Sequence, residues 1–213
     1  QFQKHFGITD FYYGSTDFDF PLGTIQLMGK SDPDTLLDLC KAIYPEKSFE
    51  ELSSHSVDFW LTTEDLPLSE NRVTLREDGS IRISYSPNNR ESYERLKQKL
   101  KDIFNLLGER NPEWKQTRFV GYDLGVSGVS HQNGTLRFGT DPATSVLDPN
   151  CKTHEIDNLY VCDASFFPSC GAVNPSLTIM ANALRVGEHL IEKYSQVRKG
   201  DIQSVKSTQL VSQ

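Results

Sequence analysis

The chain has 213 residues, of which 37% are hydrophobic and 24% charged, enough for one large domain or two small ones with an ordinary packed core. The formal charge of −7, without a basic patch, argues against nucleic acid as a partner. No apolar run is long enough to span a bilayer.

Four cysteines, Cys40, Cys151, Cys162 and Cys170, are too few for a disulfide scaffold and lack the C-x-x-C spacing of a zinc site. Cys162 reads as a small buried hydrophobe, and a cytoplasmic location is expected. The chain opens on Gln1, with no charged-then-apolar leader. It is therefore expected to begin inside something longer: a processed product, one half of a split protein, or part of a larger chain.

Residues 1–20 are aromatic-rich without clean periodicity and are expected to pack and end in a loop. Residues 23–29 (GTIQLMG), bounded by Pro21 and Gly29, predict a central strand. Ser31-Asp32-Pro33-Asp34 predicts a helix start, with a capping residue, a proline in the first turn and acidic groups near the positive end of the dipole. Leu36, Leu37, Leu39, Cys40 and Ile43 form its apolar side, and Pro45 stops it. Residues 57–63 (VDFWLTT) predict a strand. Residues 72–85 predict a hairpin, with Val73 and Leu75 on one arm, Ile81, Ile83 and Tyr85 on the other, and Asp78-Gly79 at the turn. Tyr93, Leu96, Leu100, Ile103, Phe104 and Leu107 fall at helical spacing, Lys97, Lys99, Lys101 and Asp102 face water, and Gly108 is the expected C-cap. Strands followed by a long amphipathic helix predict an α+β layer, an antiparallel sheet covered on one face. Nothing in residues 1–116 carries a catalytic pattern; His5 and His55 stand alone.

From Thr117 glycines cluster at Gly121, Gly125, Gly128, Gly134 and Gly139, a sign of sharp turns or close backbone approach. Residues 159–162 predict a buried strand ending at Asp163, where open α/β sheets place ligand contacts. Asn174-Pro175 predicts a helix start, with Asn as N-cap and Pro at N1. Leu177, Met180, Ala181 and Leu184 lie on one face of that helix, and Ile179, Ala183, Val186 and Leu190 on another, so it is expected to be buried between layers. The polar tail from residue 197, with Arg198, Lys199 and Lys206, reads as a solvated or disordered terminus.

Few residues suggest chemistry. His131, in a Gly/Ser-rich segment, is either a general base or a hydrogen-bonded loop histidine. Asn174 can simply cap its helix, Asp163 can simply anchor the turn after it, and Arg137 reads as an ion-pair partner. His154 and His189 read as peripheral. No G-x-S-x-G, H-E-x-x-H, P-loop, G-x-G-x-x-G or metal-ligand spacing occurs.

Taken together, HQNGTLRFG at residues 131–139, then Asp163-Ala164-Ser165, then Asn174-Pro175-Ser176-Leu177-Thr178, resemble the C-terminal signature of the glucose–methanol–choline (GMC) family of flavin oxidoreductases. The likeness is densest over residues 117–194; PLGTIQLMGK and ENRVTLREDGSIRISY more weakly resemble the family's substrate-binding domain. Gln132 and Phe138 depart from the family's proline and methionine.

The resemblance implies a substrate-binding domain at residues 1–130, a catalytic histidine loop with the last strand and buried helix of a Rossmann-like FAD-binding domain at 131–195, and a tail at 196–213. It implies FAD as cofactor and a small-molecule alcohol as substrate. His131 would remove the hydroxyl proton as the substrate carbon gives a hydride to flavin N5, and Asn174 would hydrogen-bond the substrate oxygen. Asp163 and Ala164 would approach the ribityl–diphosphate chain; Asn174, Pro175 and Ser176 would lie beside the isoalloxazine. The dinucleotide-binding glycines are absent from this sequence, so the chain alone is expected to be colourless and to need an N-terminal FAD-binding portion, in the same polypeptide or as a partner chain. A flavin-containing lyase on the same scaffold, of the hydroxynitrile-lyase kind, and an inactive association module are the alternatives.

Overall fold

The computed structural model describes residues 5–14, 16–42, 48–114 and 119–210. Ile43, Pro45 and Thr117 lie outside the described residues. The chain forms two compact units, Gln1–Ser130 with Cys170–Val173, and His131–Ser169 with Asn174–Gln213.

The first unit is built on an antiparallel sheet of order β1-β2-β3, with β1 at Gly7–Ile8, β2 at Thr24–Leu27 and β3 at Phe59–Thr62. The expected central strand is β2, paired with β3 from Thr24↔Thr62 to Leu27↔Phe59. The edge strand β1, within a segment expected only as aromatic packing and loop, is two residues long and leaves almost no periodic signal. Gly23, at φ +125°, is required here, because a Cβ would run into the carbonyl oxygen of Thr62.

Helix α3, Arg90–Arg110, lies against β2 and β3, and its buried Leu96 and Leu100 meet Leu22 and Ile25. Phe59 and Phe104 meet edge to face, with ring centroids 5.6 Å apart. This is the α+β layer that the pattern predicts. Gly108, however, is buried inside α3 rather than ending it. The helix ends at Asn111, extended at φ −135° and ψ 93°, because a residue before a proline, here Pro112, is pushed out of the helical region.

Helix α1, Pro33–Cys40, is capped by Asp32, which accepts from the Thr35 amide at 2.9 Å. Its Leu36 and Cys40 pack on Phe49 of α2, Phe49–His55. Sequence pattern misses α2 because seven residues hold too little periodicity. The hairpin is present, with β4 at Arg72–Leu75 and β5 at Ile81–Ser84, turning at Asp78-Gly79. It forms its own two-stranded sheet, and Val73, Leu75, Ile81, Ile83 and Tyr85 are exposed.

The second unit is mostly irregular backbone around Leu147, Cys151, Phe166 and Val186. Two expectations are corrected here. Residues 159–162 are not a buried strand; Leu159 is exposed, the others are half-buried, and Tyr160 makes one isolated bridge, with Lys152. A buried parallel strand needs a strand on each side for its backbone groups, and the described residues place none there. The last helix, α5, begins at Ser176 and runs to Leu210, taking in most of the expected tail. The Pro175 carbonyl accepts from the Ile179 amide, so the helix starts one residue later than read. Between residues 176 and 195 it is covered on one face only: Val186 is fully buried, whereas Leu177, Met180, Leu184 and Ile191 are 57–76% exposed. Among the described residues no helix is long and apolar enough to cross a membrane.

Packing in the first core sets a direct expectation. Leu96→Ala, at a fully buried position, should lower unfolding free energy by about 2–5 kcal/mol. Leu106→Ala, at a half-exposed position of the same helix, should stay within about 0.5 kcal/mol in the same denaturant titration.

Candidate functional site

The His131 motif and the Asp163 motif run side by side within the second unit. The amides of Gly134, Leu136 and Phe138 donate in turn to the carbonyls of Ala164, Ser165 and Phe166, at 3.1, 3.0 and 3.0 Å. Alternate residues of one segment thus meet consecutive residues of the other. Ala164–Phe166 is a single 3-10 turn, and the facing segment itself turns at Thr135 and Leu136. The Asp163 side chain starts the turn, accepting from the Ser165 amide at 2.8 Å.

Gly134 decides how closely the two segments approach. It sits at φ +75°, and an added Cβ would lie 3.2 Å from the Phe167 carbonyl oxygen. Phe138, at the position that departs from the family's methionine, meets Phe166 edge to face at 5.5 Å, and Phe166 stacks on Phe167 at 4.4 Å. The departure is therefore filled by core aromatic packing.

His131 opens the motif. It is half-buried, and its backbone carbonyl accepts from the Asn133 side-chain amide at 3.0 Å. Asp163 is exposed and Ala164 half-buried. The side-chain and backbone hydrogen bonds from Ser165 hold the Asp163 carboxyl below the usual aspartate range. Asn174 and Ser176 are exposed and Pro175 is half-buried, all at the mouth of α5. The backbone amides of such a first turn lack intrahelical acceptors and carry positive potential. The hydrogen bonds thus join the His131 motif to Ala164 and the turn that Asp163 starts, while Asn174, Pro175 and Ser176 stand at the helix start of the same unit.

Other residues take structural places. Arg137, expected as an ion-pair partner, donates to the Thr144 carbonyl at 3.4 Å. His154, expected to be peripheral, is half-buried with Nε2 3.1 Å from Ser145 Oγ and 3.2 Å from the Gly139 carbonyl. His189 lies against the Tyr160 ring at 6.4 Å. Sequence reasoning misses the anchoring of α5, where Arg185 donates to the Pro149 carbonyl at 2.7 Å and Asn182 to the buried Cys151 sulfur at 3.3 Å. Those partners lie 31 and 36 residues apart in the chain, so no local signal links them. Among the described residues no cluster of His, Cys, Asp and Glu could hold a metal ion.

The GMC oxidoreductase family model matches residues 67–183, more than half of the chain. This chain belongs to the GMC oxidoreductase family. It is similar to the 6'''-hydroxyparomomycin C oxidase of Streptomyces lividus, 39% identical over 127 residues, which cover 57% of this chain and 22% of the relative. Paromamine 6'-oxidase of Streptomyces fradiae is 38% identical over 127 residues, 57% of this chain and 23% of its own. Pyranose 2-oxidase of Tricholoma matsutake is 35% identical over 98 residues, 46% of this chain and 16% of its own. The chain thus spans less than a quarter of the length of these relatives.

Two measurements test this geometry. Gly134→Ala forces a Cβ into the left-handed region and against a carbonyl, and should cost about 1–2 kcal/mol in chemical unfolding. For Asp163 the folded-state pKa is depressed, so its contribution to stability is present above the unfolded aspartate value and lost as pH falls through the folded one. Asp163→Asn should therefore lower stability at pH 7 and leave it nearly unchanged once the pH is below both values, read by unfolding titrations across that window.

Proposed function

We propose that the complete protein is an FAD-dependent oxidoreductase acting on an alcohol, CH–OH, group, and that this chain carries the substrate-side sheet and the acid–base half of the site. The observation that supports the reading most is the backbone pairing of the His131 segment with residues 164–166. It tethers the segment of the proposed base to the turn proposed to approach the cofactor.

The donor set fits a flavin. The mouth of α5 offers exposed Asn174 and Ser176 beside amides without intrahelical acceptors, a match for the acceptor-rich pyrimidine edge. Asp163 and Ala164 would flank the ribityl–diphosphate chain; Pro175 and Ser176 would lie beside the ring. When bound, the flavin supplies the hydride acceptor. His131 takes the hydroxyl proton of the substrate, and the Asn174 amide donates to the oxygen as it gains anionic character. The helix dipole of α5 favours negative charge in front of its first turn.

The parts of a Rossmann-like domain that this chain would supply are the extended residues 159–162 and α5, whose exposed apolar face would meet an N-terminal FAD-binding portion in the same polypeptide or a partner chain. The names of the relatives, oxidases of paromamine, pyranose and 6'''-hydroxyparomomycin C, support a polyhydroxylated, sugar-like substrate here. None of them is a lyase, so no observation favours that alternative.

The test uses the complete flavoprotein, mixed anaerobically with paromamine, D-glucose, D-fructose and a long-chain primary alcohol in turn. At least one should bleach the flavin. His131→Ala should slow bleaching by about 10²-fold or more, the range of a lost general base, with the flavin spectrum of the resting protein unchanged. A His131→Ala rate equal to that of the parent would remove the mechanism.

A further inference from the structure

Within the second unit, the backbone between His131 and the Asp163 turn is held at two successive places. Gly134 is the first: its amide donates to the Ala164 carbonyl at 3.1 Å, with φ +75° in the left-handed region. The second is a side-chain bond. Asn133 is half-buried and turns its amide back along the chain, donating from Nδ2 to the His131 carbonyl at 3.0 Å. Two residues separate the proposed base from the tether at Gly134, and the Asn133 bond spans them.

The covalent path that this bond closes decides what it does. From the His131 carbonyl oxygen to Asn133 Nδ2, the path runs through the φ and ψ torsions of Gln132, the φ of Asn133 and the Asn133 side chain. A local side-chain bond of this kind selects one backbone conformation among those a short polar segment could take. The Gln132 φ torsion inside the ring is also the one that a proline at that position would lock, and a proline would restrict His131 before it as well. We propose that Asn133 is a positioning residue for His131, holding the backbone of the base at a fixed offset from the Gly134 tether. The proposal rests on the reading of His131 as the group that takes the substrate's hydroxyl proton. Gly134 is fixed to the 164–166 turn, so a fixed residue 132 sets His131 against that turn. Proton transfer needs the imidazole nitrogen within about 3 Å of the hydroxyl oxygen, and a displacement of about 1 Å can cost about 10²-fold.

The experiment uses the complete flavoprotein and the alcohol of the panel above that bleaches its flavin fastest, read as the anaerobic flavin-reduction rate at saturating alcohol. Asn133→Ala removes the donor and should lower that rate about tenfold, with KM and the resting flavin spectrum little changed. Gln132→Pro added to Asn133→Ala should return most of the rate, because the proline ring locks the same torsion by another bond. In a His131→Ala background, Asn133→Ala should add no further loss. A His131→Ala variant as fast as the parent would sink the reading of His131 and this proposal with it. A slow His131→Ala beside an Asn133→Ala at the parental rate overturns the proposal alone. So does a further tenfold loss in the His131→Ala, Asn133→Ala double variant, or a rate that Gln132→Pro does not recover. Should Asn133→Ala not fold, Asn133→Asp carries the same test, since it keeps the shape and, ionised, has no proton to donate to the carbonyl. A rate about tenfold slower supports the positioning role, and an unchanged rate overturns it.

Discussion

Three backbone hydrogen bonds, from the amides of residues 134, 136 and 138 to the carbonyls of 164, 165 and 166, hold the second unit's two motifs together. Ala164–Phe166 is a 3-10 turn, and the facing segment turns at Thr135 and Leu136, so alternate amides of the one meet successive carbonyls of the other. Gly134 makes the approach possible and the Asp163 side chain makes the turn. The core residues Leu147, Phe166 and Val186 then pack around that junction.

The two units use their apolar residues differently. In the sheet unit, β2 is buried along nearly its whole length, with α3 on it, and the cluster of Leu22, Ile25, Leu96 and Leu100 is closed. The hairpin and α5 each leave an apolar face exposed. Apolar residues at regular spacing ordinarily mean burial, and both faces lie in a chain that spans less than a quarter of its relatives' length. The proposal that α5 meets a flavin-binding portion gives one of those faces a partner. It also gives residues 159–162, extended and bridged only once, the neighbouring strands that a parallel sheet requires.

Much of the architecture was legible in local pattern. The central strand, the capped start of α1, the β3 strand, the hairpin turn and the long α3 all follow from periodicity, capping and Asp-Gly chemistry. Failures have local reasons too. Two-residue β1 and seven-residue α2 are too short for a period to show. Gly108 looked like a helix end, yet the proline after Asn111 sets the stop. Residues 159–162 read as a strand because composition reports a wish to be buried, not the presence of a neighbour.

By itself the sequence determined the family and which residues to watch: His131 in its Gly-Thr motif, Asp163-Ala164, and Asn174-Pro175-Ser176 in order. Those are matters of residue type and spacing, which a linear chain records. Only the tertiary structure decided that the first two groups are hydrogen-bonded to each other, that Phe138 is core packing, and that one apolar face of α5 is covered while the other is not. It also decided that the Ala172 carbonyl is held by Thr24, 148 residues away. Backbone amides and carbonyls are identical at every position, so the pairing of two distant segments leaves no mark on residue identity except where, as at Gly134, a side chain would be in the way.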